Sequence, residues 1–240
     1  MQQQRERDRR VRRPAPLAER SGGVVVDGVR ALGQMLAALL AALALSRPLP
    51  TRILSFGDSL TAGLIANTKE YAPYGETLSR NLNVPVVSRG VVLESSHSMP
   101  ARLATTLNDD GPFDCAIILG GSNDLWKGDS DAIWVSLQSL YSQSRAHGCS
   151  LLGLITLPPF EPDVMNWLSF TGILEKTDAC RLDVNERIRA MAAADDDCFL
   201  VDLAVLDDEA VMTRPDGLHF EASGYERLGV AVSEALGASL

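Results

Sequence analysis

The sequence predicts an α/β fold built on a five-stranded parallel sheet with helices on both faces, and three observations predict it. Short, nearly continuous apolar runs recur along residues 53–203. Segments of helical character alternate with them, and glycine or small polar residues follow several of the runs. Continuous apolar strands alternating with helices imply strands buried on both faces, which in practice means parallel pairing.

Taken in order, the first run is Ile53-Leu54-Ser55-Phe56, which breaks at Gly57 into Asp58-Ser59-Leu60-Thr61-Ala62-Gly63. Tyr74 to Leu82 has the mixed pattern of a short helix, and Val84 to Val92 is strand-like. Ser98 to Leu107 is helical, with Ser98 placed to cap it and Pro100 in its first turn. Phe113 to Leu119 is a third strand ending in Gly120-Gly121. Asp131 to His147 is a long helix with Ile133, Trp134, Leu137, Leu140 and Tyr141 on one face. Cys149 to Thr156 is a fourth strand, followed by an irregular Pro158-Pro159 segment as far as about Phe170. A helix from Ile173 to Ala194, a fifth strand from Cys198 to Leu203 and a helix from Glu221 to Ala238 close the domain.

At 240 residues the chain suits one domain of ordinary size plus additional sequence. Charge divides it unevenly. Residues 1–50 carry nine Arg against four acids, +5, which leaves −14 of the total −9 on residues 51–240. So acidic a body lacks the basic surface that phosphate backbones require, and nucleic acid is excluded as its partner. No stable protein partner is implied.

Residues 1–30, rich in Gln, Arg, Pro and Gly, lack the apolar content to bury a core and are expected to be disordered. The apolar run 31–45 is shorter than the roughly 20 residues of a membrane span. Its length and basic approach fit a signal-peptide core, with Ala42-Leu43-Ala44 as a small-x-small cleavage site. The long basic region leaves an organelle transit peptide or an uncleaved anchor in membrane contact open. An amphipathic helix through Val29, Leu32, Leu36, Leu39 and Leu43 is the alternative. A secreted, organellar or membrane-anchored location is favoured over the cytoplasm. Ser46-Arg47-Pro48-Leu49-Pro50 is a linker, which puts the domain at 51–240.

Four cysteines (115, 149, 180, 198) lack Cys-x-x-Cys spacing and His pairs, so no zinc site is expected, and buried thiols are favoured over disulfides. Ligand sites of parallel α/β sheets lie at the carboxyl ends of the strands. Ser59, Gly90, Gly121-Ser122-Asn123-Asp124, Pro158-Pro159-Phe160 and Asp216-Gly217-Leu218-His219-Phe220 all fall after strands and converge on that rim. Cys115, Cys149 and Cys198 fall at strand starts, on the opposite edge.

Asp216 stands three residues before His219, close enough to hold one imidazole nitrogen while the other takes a serine proton. That is the logic of acyl transfer, in the chain order Ser59, Asp216, His219. His97 and His147 have simpler explanations as a surface residue and a helix-end residue. Asn123 and the N–H groups of Ser59 and Gly90 are candidate donors to an oxyanion. Asp58 is expected to hydrogen-bond within the serine turn, and Asp124 to cap the next segment.

With Gly-Asp-Ser-Leu at 57–60, Gly90, Gly-Ser-Asn-Asp at 121–124 and Asp-Gly-Leu-His at 216–219, residues 51–237 resemble the SGNH (GDSL-type) hydrolases. The resemblance implies a flavodoxin-like, three-layer α/β/α fold and ester hydrolysis without a metal or other cofactor. It implies Ser59 as nucleophile, His219 as base, Asp216 as its orienter, and Ser59, Gly90 and Asn123 as the oxyanion hole. One departure is Leu93, which stands where the second block of the family has a turn glycine. The family spans short-chain esterases, lysophospholipases, thioesterases and carbohydrate O-deacetylases. Small acyl esters are favoured here, with lysophospholipid-like lipids next. Acyl transfer on the same triad and carbohydrate O-deacetylation are the alternatives. Trp126, Pro159, Phe160, Leu218 and Phe220 border the rim, as an apolar acyl pocket or as packing residues.

Overall fold

The computed structural model describes residues 31–36, 47–161, 172–206 and 212–240. The chain divides into two compact units, Met1–Arg47 and Pro48–Leu240. In the first, residues 31–36 are helical. The expected disorder of 1–30 and the rest of the apolar run lie outside the described residues. Among those described, no helix is long and apolar enough to cross a membrane.

The second unit is a five-stranded, wholly parallel sheet in the order β2-β1-β3-β4-β5. Its strands are β1 (Ile53–Gly57), β2 (Val86–Gly90), β3 (Cys115–Leu119), β4 (Leu151–Ile155) and β5 (Cys198–Val201). The helices are α1 (Ser59–Ala62), α2 (Tyr74–Leu82), α3 (Met99–Asp110), α4 (Ser130–Ala146), α5 (Ile173–Ala194) and α6 (Ala222–Ala238). All residues of β1, β3 and β4 are buried, as their unbroken apolar runs require. From β1 the chain crosses to β2 on one side, then returns past β1 to β3 and on to β5. Right-handed crossovers running in opposite directions place α2 on one face and α3, α4 and α5 on the other. α6 packs against α2, and α3, α4 and α5 pack in a row. The result is the expected three-layer α/β/α sandwich. The strand order reverses beside β1, which is where a doubly wound sheet opens its crevice.

The strands are shorter than the apolar runs that announced them, because pairing stops before the run does. Val84 and Phe113, for example, are buried just outside β2 and β3. Ser98 does not cap α3: its own backbone is already helical, and its Oγ donates to Ser95 O at 2.8 Å. Pro100 does sit in the first turn of α3. At the sheet's other end, Asp114 accepts from the backbone N–H groups of Thr51 and Arg52 at 2.7 and 3.1 Å. The Thr51 hydroxyl bond above all holds its carboxyl below the ordinary value. This clamp fixes where β1 begins.

The α2–α6 contact leaves no room at Gly229, where a Cβ would lie 2.6 Å from Thr77 Cβ and 2.7 Å from the Tyr74 carbonyl oxygen. Alanine normally gains about 1 kcal/mol over glycine inside a helix. Overpacking against backbone costs about 1–3 kcal/mol, and it wins here. Gly229→Ala is expected to lower the unfolding free energy by about 1–2 kcal/mol, read from urea denaturation. A stabilised variant would show that the two helices separate freely.

Candidate active site

Ser59 opens α1, a single helical turn directly after β1. Asp58 caps it by accepting the Leu60 N–H at 3.0 Å, and Gly63 ends it in the left-handed conformation. The serine is thereby held at the carboxyl rim of the sheet, 2% exposed. Across 160 residues of sequence its Oγ lies 2.8 Å from His219 Nε2. His219 Nδ1 lies 2.8 Å from Asp216 Oδ2. The tautomer these contacts require donates from Nδ1 to the carboxylate and leaves Nε2 to accept the serine proton.

Asp216 does more than face the ring. Its Oδ1 accepts the backbone N–H groups of Leu218 and His219 at 3.0 and 2.7 Å, so carboxylate and histidine share one tight loop. Burial pushes the Asp216 carboxyl up, but those two N–H groups and the imidazole outweigh it and hold it below the ordinary value. It therefore stays ionised at neutral pH, and its charge favours a protonated over a neutral His219 ring.

Asn123 lies on the 3-10 turn Ser122–Lys127 after β3, and its Nδ2 donates to Glu94 O at 2.9 Å. That bond orients the amide and leaves its second hydrogen to point elsewhere. Asp124 beside it does not cap the next helix; Asp129 caps α4. Asp124 instead grips the loop after β2, accepting from Ser95 Oγ at 2.7 Å and from the Ser96 N–H at 2.6 Å. Burial raises the Asp124 carboxyl, yet the bonds from Lys127, Ser95 and Ser96 hold it below the ordinary value.

Gly90 is placed differently from expectation. It pairs with Gly57, and the Val91 N–H is the group turned toward β1, 3.1 Å from Gly57 O. Alternation along a parallel ladder then turns the Gly90 N–H away from β1, the strand that leads into the Ser59 turn. What requires glycine here is the helix of the serine: a Cβ would lie 2.0 Å from Ala62 N and 2.5 Å from Ala62 Cα. Leu93 takes the left-handed conformation, φ 60°, that a glycine would adopt freely, with its side chain 80% exposed. The turn is thus retained without its glycine, at a cost of about 1 kcal/mol.

Around these groups, Trp126 is half-exposed and tilts over Phe160 with ring centroids 4.8 Å apart. Pro159 is half-buried and Leu218, next to His219, is buried. Phe220 is not a rim residue: it is fully buried, edge-on to Tyr225 at 5.4 Å in the core. The segment leading to Phe160 is pinned by Asn185 on α5, which exchanges two hydrogen bonds with the Leu157 backbone at 2.7 and 2.8 Å. Between the end of α1 and the exit of β2, an open groove of about 550 Å³ is lined by Ala62, Tyr71, Pro73, Ser88, Gly90, Val91 and Val92.

Sequence reasoning missed the loop-holding groups Glu94, Ser95, Ser96, Arg102 and Asn185. Their partners are backbone atoms and loop residues with no fixed spacing, so no pattern announces them. Of the other candidates, His97 is exposed, and His147 ends α4 with Nδ1 2.9 Å from Gln143 O. The four cysteines form no disulfide and are buried; burial pushes the Cys149 and Cys198 thiols up to about 11. They stay protonated, which suits packing and not nucleophilic attack. Among the described residues no cluster of His, Cys, Asp or Glu could hold a metal ion.

Residues 55–227 match the description of the GDSL-like lipase/acylhydrolase family. No curated protein matches the chain in sequence. Among solved structures, the fold is similar to a G-D-S-L-family lipolytic protein from Desulfitobacterium hafniense DCB-2 (TM-score 0.61, 17% identity, 77% of this chain and 99% of that one). It is also similar to a lipase/acylhydrolase from Enterococcus faecalis (TM-score 0.55, 20% identity, 78% and 96%). A third is a family 3 carbohydrate esterase from Clostridium thermocellum (TM-score 0.57, 17% identity, 78% and 98%). At these identities the structural likeness concerns the fold.

Asp58 carries the sharpest pH consequence of the site. It is fully buried, its Oδ2 has no hydrogen-bond partner, and burial pushes its carboxyl up to about 7 against the ordinary 3.8. Bonds from the Leu60, Ser122 and Gly121 backbone lower it only in part. Between these two values the folded chain holds a proton that the unfolded chain has released. Stability from this group is therefore full below pH 3.8 and is lost as pH rises through about 7. In denaturation at about pH 5 and about pH 8, Asp58→Asn is expected to lose less stability between the two than the parent. Equal losses in both proteins would refute the assignment.

Proposed function

This chain belongs to the GDSL-like lipase/acylhydrolase family, and on that premise we propose that it is a serine esterase working through an acyl-serine intermediate on Ser59. The observation that carries the proposal is the unbroken contact from Ser59 Oγ to His219 to Asp216, 2.8 Å at each step. An isolated serine hydroxyl is a weak nucleophile at neutral pH and needs such a base.

His219 Nε2 removes the hydroxyl proton as Ser59 Oγ bonds to the ester carbonyl carbon. The carbonyl oxygen becomes an oxyanion in the tetrahedral intermediate. The Ser59 N–H, at the start of α1, and the free hydrogen of Asn123 Nδ2 are the donors proposed for it. A further donor is proposed from the β2 exit that Gly90 opens, since the Glu94 carbonyl bonded to Asn123 brings that turn alongside. Collapse of the intermediate breaks the bond to the alcohol oxygen, which leaves with the proton from His219. Water, deprotonated by the same nitrogen, then attacks the acyl carbon; the bond to Ser59 Oγ breaks, His219 returns the proton to that oxygen, and the acid leaves. No step calls for a metal.

For the substrate we favour esters of small acyl groups. Two apolar surfaces support this: the Trp126–Phe160 pair with Leu218, and the groove beside Ala62 and Val91. Carbohydrate O-deacetylation is the finer alternative, suggested by the carbohydrate esterase among the similar structures.

With the full-length chain and p-nitrophenyl butyrate, Ser59→Ala is expected to lower kcat by roughly 10⁵-fold and Asp216→Asn by about 10⁴-fold. Full activity in the Ser59 variant would end the proposal. A series of p-nitrophenyl esters from acetate to palmitate is expected to peak among the short acids. A maximum at palmitate would move the substrate to long-chain lipids, and preference for acetylated sugars would move it to deacetylation.

A further inference from the structure

Arg102, on the first turn of α3, has a guanidinium that joins the backbone of two strand ends, at Gly57 and Arg89, to the side chain of Glu94. Nε donates to both carboxylate oxygens of Glu94 at 2.8 and 3.0 Å. Nη2 donates to Gly57 O at 2.9 Å and also to the Glu94 carboxylate. Nη1 donates to Arg89 O at 3.0 Å, and the plane lies over the Phe56 ring at 3.9 Å. Gly57 is the last residue of β1, two before Ser59. Arg89 precedes Gly90 at the exit of β2. Glu94 presents its carbonyl to Asn123 Nδ2. One cation thus joins the turn of the nucleophile, the β2 exit and the residue that orients the side-chain donor.

We propose that Arg102, with Glu94 as its counter-ion, is a positioning residue for ester hydrolysis that holds Asn123 in the orientation needed to meet the oxyanion. This rests on the reading of Ser59 as nucleophile. The guanidinium is suited to the task because it presents donors in a rigid plane, aimed here at three separate groups. A lysine ammonium could reach one or two of them, without fixing their mutual angle. Oxyanion donors act only when they are aimed where the charge develops, so a shift of about 1 Å costs rate and not ground-state binding. Side-chain exposures of 23% for Arg102 and 9% for Glu94 keep solvent from competing for these bonds. An ion pair that served stability alone would have no reason to act through Asn123.

The test is kinetic and uses the full-length chain with p-nitrophenyl butyrate, rates being expressed per serine titrated with a fluorophosphonate. Arg102→Met keeps the stem over Phe56 and removes the donors. It is expected to lower kcat about 10- to 100-fold with KM within about twofold, and Glu94→Gln is expected to give a smaller loss of the same kind. In an Asn123→Ala background the Arg102→Met loss is expected to vanish, because the group it positions is gone. Wild-type kcat in folded Arg102→Met overturns the proposal, as does the same fold-loss with and without Asn123. If Arg102→Met fails to fold, Glu94→Gln and its cycle with Asn123→Ala decide by the same criteria. Failure of the underlying reading shows separately, as activity retained by Ser59→Ala.

Discussion

The close approach of β1 to β3 at Gly57 is the constraint on which the site depends. A Cβ there would lie 1.7 Å from Leu119 O, so no other residue lets the two strands leave the sheet side by side. Asp58 N–H reaches the same carbonyl at 3.3 Å. The carbonyl of Gly57 accepts from Val91 on β2's exit and from Arg102 on α3. Its Cα and its oxygen therefore gather three strand ends within one residue of the nucleophile's turn. The reversal of strand order beside β1 opens the crevice, and this residue sets its width.

Two carboxylates within that frame are driven in opposite directions, and their surroundings explain the division of labour. Asp216 has two backbone N–H groups and an imidazole to favour its charge, so it is ionised and orients His219. Asp58 is fully buried with Oδ2 unpartnered, and its burial outweighs the lowering by the Leu60, Ser122 and Gly121 backbone, so its carboxyl is pushed up to about 7. A negative charge beside Ser59 is thereby disfavoured below about pH 7. Burial is the largest influence on both groups; the His219 imidazole beside Asp216, against complete burial and the nearby Glu94 charge at Asp58, separates them.

Much of the fold was legible because it rests on contiguous sequence. The apolar runs at Ile53, Cys115 and Leu151 could satisfy their backbones and bury both faces only as central parallel strands. Ser59, Asn123 and the Asp216–His219 pair were legible as motifs for the same reason, since Ser59 and Asn123 lie just after β1 and β3 and Asp216 and His219 are three residues apart. The α2 and α5 boundaries also agree with expectation, because their ends coincide with sequence breaks at Pro73 and Asn83, and at Gly172 and Asp195. Strand ends and the Ser98 cap were misjudged, and Phe220, left open between pocket and packing, is a core residue. These depend on which neighbour arrives first: a pairing partner, a Ser95 carbonyl, or the Tyr225 ring.

By itself the sequence determined the class of fold, the order of its elements and the residue types able to perform acyl transfer, because periodicity and turn chemistry are local properties. Tertiary structure alone decided what joins them. It set Ser59 Oγ 2.8 Å from a nitrogen 160 residues away. It gave Gly90 to the packing of α1 and put Leu93 in a glycine's conformation. It also placed Arg102 between the ends of β1 and β2 and the Glu94 carboxylate. Distances between residues remote in sequence are set only when the sheet closes and its helices pack.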